Sequence, residues 1–264
     1  MTATPKPLRG WTVLVPRGGP WGHGVASELR ARGATPIVAP TINFAGTADA
    51  DSLTRAIDAL QRGDFDWLTV TSATTVDVLS AHGVVLPHST RVAAVGETTA
   101  AALVAAGYGV DFVPRRDNSA AGLLAEWADA TGGAAGLKIL ALRSDIANPV
   151  LTDGLRAAGH SVESVVAYRT VGVPVDDKIA RAVAEGRVDA ILITSGSVAN
   201  QIAEQLGPVP EHTAIACIGP RTAADARAAG LRVDLVAQDR SSASLIAALE
   251  SLAATHTIAR GGTS

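Results

Sequence analysis

Hydroxyls, glycines and arginines collect where apolar runs of this chain end. Thr71-Ser72 closes DWLTVTSATTV, which opens at Asp66, and Thr194-Ser195-Gly196-Ser197 closes DAILITSGSV, which opens at Asp189. Gly96-Glu97-Thr98-Thr99 and Gly219-Pro220-Arg221-Thr222 follow two further runs, and Arg17 and Arg143 finish two others. Where such a junction opens a helix, its first N–H groups lack intrahelical partners and its dipole presents a positive end. Hydroxyl donors and guanidinium groups at the same place suit a carboxylate or a phosphate. Taken singly, each Ser or Thr is an ordinary N-cap and each glycine a tight turn. Taken together, with two arginines, they fit an anion-binding cleft.

Other chemistry is poorly served. The histidines at 23, 82, 88, 160, 212 and 256 show no metal-ligand spacing, and there is no HExxH and no Cys pair. Cys217 lies in the apolar stretch TAIACIGP and reads as core filler. No loop fits GxxxxGK[ST], no GxSxG elbow occurs, and the glycine-rich PRGGPWGHG at 16–24 is out of register with GxGxxG. The expectation is a site without metal or cofactor.

The elements that must position these groups alternate. Apolar, β-rich runs begin near residues 12, 35, 67, 91, 110, 137, 160, 190, 214 and 233. Most are continuous in hydrophobicity, as in parallel strands covered on both faces. Helical patterns intervene at 24–32, 50–61, 98–106, 119–129, 149–158, 176–185, 221–229 and 242–252, and the final ATHTIARGGTS reads as a frayed tail. This is an α/β protein. In open sheets of that class ligands bind beyond the carboxyl ends of the strands, where the hydroxyls lie.

The pattern is written twice. A shift of 123 carries Asp66, Thr71 and Ser72 onto Asp189, Thr194 and Ser195, Gly96 onto Gly219, and Thr99 onto Thr222. It also carries Val110-Asp111 onto Val233-Asp234 and Ser119 onto Ser242. A shift of 126 carries Gly10, Leu14, Arg17, Leu29 and Gly33 onto Gly136, Leu140, Arg143, Leu155 and Gly159. Two similar α/β domains follow.

A net charge of -3 without a long basic run argues against nucleic acid as the main partner. The N-terminus has no apolar signal region, and no stretch reaches about 18 uninterrupted apolar residues, so a soluble, cytoplasmic protein with no membrane partner is expected.

In their order, VLVPR, DWLTVTSATTV, VAAVGETTAAAL, LRSDIA, AYRT, DAILITSGSV, IACIGPRTAADARAAGLRVDLVA and SSASLIAAL make the chain resemble the uroporphyrinogen-III synthase family over about residues 9–252. Pro16 stands where the family often has Thr, and SAT at 72–74 replaces a commoner Ser-Xaa-Asn-Gly ending. The resemblance implies two flavodoxin-like parallel-sheet domains joined by a two-segment linker. One domain is discontinuous, 1–40 with 172–264; the other is 44–166; the crossings are APTINFAG at 39–46 and VAYRTVGV at 166–173. Strands starting at 12, 35, 190, 214 and 233 fall in one domain, those at 67, 91, 110, 137 and 160 in the other.

The implied reaction is closure of hydroxymethylbilane, a polycarboxylate, to uroporphyrinogen III. Water leaves, an azafulvene-like cation forms, and ring D is inverted through a spiro intermediate. Tyr168 matches the family's tyrosine and is the implied general acid; the alternative is a ribbon tyrosine half-covering a crossing. Substrate contacts would come from Arg17, Thr71, Ser72, Gly96, Thr98, Ser119, Arg143, Ser195, Gly196, Ser197, Gly219, Arg221 and Thr222. A monomer is expected, taking its substrate by hand-off from hydroxymethylbilane synthase. Two other readings stay open: a non-catalytic two-lobed ligand-binding or regulatory module, and a phosphosugar- or nucleotide-handling α/β enzyme.

Overall fold

A computed structural model describes residues 6–261. In chain order the elements are β1 (Thr12–Val15), α1 (Gly19–Ala31), β2 (Thr35–Val38), β3 (Ile42–Gly46), α2 (Ala50–Arg62), β4 (Trp67–Val70) and α3 (Ala73–Ala81). Then follow β5 (Arg91–Ala94), α4 (Glu97–Ala105), α5 (Ala120–Ala125), α6 (Trp127–Thr131), β6 (Lys138–Ser144), α7 (Val150–Ala157) and β7 (Ser161–Gly172). The remainder is α8 (Asp177–Ala184), β8 (Ala190–Ile193), α9 (Gly196–Leu206), β9 (Ala214–Cys217), α10 (Pro220–Ala228), β10 (Leu235–Val236) and α11 (Ser242–Gly261).

The chain divides into two compact units, one made of the residues up to Asn43 with those from Val171 onward, the other of Phe44–Thr170. Residues 1–5 and 262–264, at the ends of the expected discontinuous domain, lie outside the described residues. In the first unit the sheet order is β10-β9-β8-β1-β2, the doubly wound order of flavodoxin-like folds. In the second it is β3-β7-β6-β4-β5, the same winding with its chain start moved and β3 added beside β7.

Each sheet is buried on both faces because neighbouring residues on a strand point to opposite sides. In the first unit Leu14, Ile191, Ile193, Ile215 and Cys217 enter one core, and Val13, Val15, Ala190, Leu192 and Ala216 enter the other. In the second, Leu68, Val70, Leu140 and Leu142 face one core, while Trp67, Ala93, Ile139 and Trp127 face the other. Removing a fully buried leucine such as Leu140 down to Ala costs about 2–5 kcal/mol.

The repeat is a structural one. The Asp66 carboxylate accepts the Lys138 N–H at 2.7 Å, and the Asp189 carboxylate accepts the Thr12 N–H at 2.7 Å. The Thr90 hydroxyl donates to the Phe65 carbonyl and the Thr213 hydroxyl to the Val188 carbonyl, both at 2.7 Å. These groups tie the amino ends of adjacent strands. The opening Asp of each repeat is therefore a strand clasp.

Four expectations are corrected. The run at 110–114 is no full strand but a single bridge from Phe112 to Ala93. There the Asp111 carboxylate, rather than a backbone carbonyl, takes the Val92 N–H, and Pro114 has no N–H to offer. The segment 39–46 is more than a crossing, since its Ile42–Gly46 portion is a strand of the second sheet. The helix expected at 24–32 starts earlier, inside the glycine-rich stretch: α1 begins at Gly19, with Pro20 in the first turn where its missing N–H costs nothing. Finally, α11 continues past 252 to Gly261, and no Gly or Pro interrupts that run before its last residue.

Candidate active site

At the carboxyl edge of the second sheet, Tyr168 on β7 is held by a register shift. Pairing of β6 with β7 runs Arg143 to Val166 and then Ser144 to Tyr168, skipping Ala167. The bulge brings the phenol, only 6% exposed, towards the end of β4, where Ser72 Oγ lies 2.7 Å from its oxygen. Ser72 is the N-cap residue of α3 but makes no side-chain cap bond; its hydroxyl is used on Tyr168 instead. Phe44 meets the Tyr168 ring edge-on, with centroids 5.4 Å apart, and is itself half exposed.

Burial pushes the Tyr168 phenol above the ordinary tyrosine range, and the Asp145 charge adds to the rise. The hydroxyls of Ser72, Thr74 and Ser144 pull the other way. Tyr168 is thus a neutral phenol at physiological pH, ringed by groups able to solvate its anion. Asp145 itself is held below the usual carboxylate range: burial opposes its charge, but the Thr170 N–H, the Ser144 hydroxyl and the Ile146 N–H outweigh it.

Other expected residues of this unit lie at the same edge. Thr71 follows β4, and Gly96 caps α4 through backbone alone, with Thr98 exposed in its first turn. A Cβ on Gly96 would stand 3.2 Å from Asn118 Cβ, so a side chain there would crowd the loop. Ser119 is an N-cap in fact as well as position, accepting the Gly122 N–H at 3.1 Å. Arg143 is turned into its own loop: Nε donates to Ser164 Oγ at 2.8 Å, and Nη1 to the carbonyls of Ser144 and Ala147.

The first unit carries the matching set at its own carboxyl edge. Arg17 follows β1 and stacks on Trp21, with its guanidinium carbon 5.0 Å from the ring centroid. Ser195 caps α9 by accepting the Val198 N–H and lies 3.0 Å from the Ser197 hydroxyl. Gly196 leaves room for Asp225: a Cβ there would stand 2.8 Å from its carboxylate oxygen, which would have to shift. Gly219 caps α10 without a side chain, Thr222 is buried on that helix, and exposed Arg221 pairs with Asp225 at 3.1 Å.

Sequence reasoning missed Phe44, Thr74, Ser144, Asp145 and Thr170. Ser144 and Asp145 stand in LRSDIA and Thr170 in AYRT, but only the bulge and the sheet order bring them together. A cavity of about 540 Å³ lies at the opposite, amino edge of the first sheet, lined by Arg9, Trp11, Asp189, His212 and Asp234 among others. Its two Asp side chains are already committed to strand N–H groups, and it is at the wrong end of the strands for this class. Among the described residues no helix is long and apolar enough to cross a membrane, and no three His, Cys, Asp or Glu side chains could share a metal ion. Of the six histidines, His256 lies outside the residues whose side chains are described.

The winding defines a protein of two flavodoxin-like units, a class in which ligands bind beyond the carboxyl ends of the parallel strands. The family described as Uroporphyrinogen-III synthase HemD matches residues 24–247, and the chain belongs to it, among the cyclising synthases of tetrapyrrole biosynthesis. A uroporphyrinogen-III synthase of Synechococcus elongatus is 28% identical over 260 residues, covering 93% of this chain and 96% of the relative. Similar solved structures include a mutant uroporphyrinogen III synthase of Thermus thermophilus, with TM-score 0.66 and 18% identity over 93% of this chain and 99% of that one. The uroporphyrinogen-III synthetase of Helicobacter pylori has TM-score 0.61 and 16% identity, covering 92% and 99%. At such identities the structures speak for the fold.

Proposed function

We propose that this protein closes hydroxymethylbilane to uroporphyrinogen III with Tyr168 as general acid. The observation that carries the assignment of the acid is the buried phenol 2.7 Å from Ser72 at the carboxyl edge of the second sheet. As the C–O bond of the ring A hydroxymethyl group breaks, the phenolic proton goes to the departing oxygen. Water, a pyrrole-stabilised cation and a tyrosinate result. The proton lost when ring D regains aromaticity after closure returns the phenol to its starting form. Because the pyrrole supplies most of the push, a weak acid suffices.

The harder task is geometric: the free substrate closes by itself without inversion, so the protein must hold one folded conformer. For this the substrate carboxylates meet hydroxyls, helix N-termini and guanidinium groups. Thr71, Ser72, Gly96, Thr98, Ser119 and Arg143 serve from the second unit; Arg17, Ser195, Gly196, Ser197, Gly219, Arg221 and Thr222 serve from the first. The segments 39–46 and 166–173 act as the two linkers. The instability of the substrate also favours direct hand-off from hydroxymethylbilane synthase to a cytoplasmic monomer.

Incubation with freshly made hydroxymethylbilane, followed by separation of isomers, tests the activity. Isomer III in excess over isomer I is expected. Isomer I at the uncatalysed rate would overturn this reading and favour a non-catalytic ligand-binding module.

A further inference from the structure

We propose that Asp145 and Ser144 are positioning residues for Tyr168, fixing the phenol among the hydroxyls that ring its oxygen. The proposal rests on Tyr168 acting as the proton donor, and it concerns what holds that donor in place. Two kinds of bond lead from Asp145 to the strand bearing the phenol. Its N–H donates to the Tyr168 carbonyl at 3.1 Å, and its Oδ1 accepts the Thr170 N–H at 2.9 Å. Backbone and side chain of one residue therefore bracket residues 168–170 just past the bulge, where ordinary ladder pairing has lapsed.

The same Oδ1 accepts the Ser144 hydroxyl at 3.0 Å. Ser144 is buried, its oxygen accepts the Ile146 N–H at 3.3 Å, and it sits 3.2 Å from Thr170 Oγ1. It pairs directly with Tyr168 in the sheet. Ser144 is the buried member of this network, Thr170 is partly buried and the Asp145 carboxylate is exposed, so the Ser144 hydroxyl has few alternative arrangements: losing its partners would leave a buried group unpaired. Such a network fixes the direction of the phenolic O–H, which a lone buried phenol leaves free to rotate.

Asp145 is also the charge that acts on the phenol. Arg143 on β6 is turned to Ser164 and nearby carbonyls, Arg169 on β7 donates to the Gly46 carbonyl, and Asp77 on α3 is exposed. The carboxylate opposes formation of the tyrosinate, whereas the Ser144 hydroxyl favours it. A residue that only held the fold together would not give two neighbouring substitutions of opposite sign.

The chain has two tyrosines, so Tyr108→Phe leaves Tyr168 as the sole phenol for titration by its ultraviolet tyrosinate absorbance. In that background Asp145→Asn should lower the pH at which the phenol ionises, and Ser144→Ala should raise it. Each should reduce kcat for isomer III roughly 10-fold with KM nearly unchanged. Neither should reduce it further once Tyr168 is Phe. Asn retains an oxygen for the Thr170 N–H, so Asp145→Asn should fold, and unfolding midpoints check this for both variants. Unchanged titration curves, or kcat losses that persist in the Tyr168→Phe background, overturn the positioning role. A Tyr168→Phe enzyme of wild-type rate instead overturns the general-acid reading, and with it the kinetic half of this proposal.

Discussion

Ser72 Oγ and the Tyr168 hydroxyl lie 2.7 Å apart, joining the ends of β4 and β7, two strands that are not neighbours. β6 runs between them and contributes Ser144 from its last position. The phenol is therefore approached from three strand ends at once. Water has little access to it, and Ser72 is the hydroxyl within hydrogen-bond distance of its oxygen.

From this geometry, Tyr168→Phe should slow isomer III formation by roughly 10²-fold, the scale of a general acid. Ser72→Ala should slow it less, since Thr74 and Ser144 still attend the oxygen. Initial rates with isomer separation measure both. Because burial raises the phenol's pKa, kcat should hold through neutrality and fall only on the alkaline side, as pH rises through that raised value. A fully active, folded Tyr168→Phe protein would leave conformational control as the whole of catalysis.

The repeated Asp residues make a different prediction. Asp189 is partly buried where it accepts the Thr12 N–H, so Asp189→Ala strands a donor that water reaches poorly and should cost about 1–3 kcal/mol. Asp66 makes the same bond at an exposed position, where water replaces the carboxylate, and Asp66→Ala should cost less. Urea unfolding compares them. Neither should alter the isomer ratio, since both lie at the amino edges of their sheets.

That contrast marks what is legible in sequence. The alternation of elements, the repeat and the hydroxyls at strand ends are local patterns, and they reappear in the fold. What Asp66 and Asp189 bond to is not local: each reaches a neighbouring strand, which only the sheet order brings close. The Ser72–Tyr168 pair spans 96 positions and depends on a bulge that no spacing announces. Arg143 reads as an anion ligand at the end of a strand, yet much of its guanidinium is taken by Ser164 and loop carbonyls. The strand expected at 110–114 shrinks to one bridge where Pro114 offers no N–H; in the first unit Asp234 makes the same side-chain bond, to Ile215, yet β10 forms and the Ala237 N–H donates to the Cys217 carbonyl.

Cys217 lies fully buried on β9, and burial pushes its thiol up to about 11. Thiolate is the reactive form, so a disulfide reagent should leave the native protein untouched and label one thiol once urea unfolds it. Rapid labelling of the folded protein would contradict the core-filling role.

Glu126 offers a test by acid. It is 7% exposed between α5 and α6, and its carboxylate accepts the N–H groups of Arg115 (3.2 and 3.1 Å) and Arg116 (3.0 Å). Those two backbone bonds hold it below the carboxylate value of 4.5, against the opposing effect of burial. A carboxyl group whose pKa is lower folded than unfolded stabilises the fold fully above its unfolded value. That contribution is lost as pH falls below about 4.5 and through the depressed folded value. Thermal unfolding midpoints should therefore drop across that acid window in the wild type. Glu126→Gln should start lower at neutral pH and show a shallower drop, because an amide keeps an oxygen acceptor but has no charge to lose. The loop at 115–118, which leads to the Ser119 cap of α5, should gain amide exchange first as the carboxylate is protonated. Equal acid slopes for wild type and Glu126→Gln would mean that other carboxylates govern acid stability.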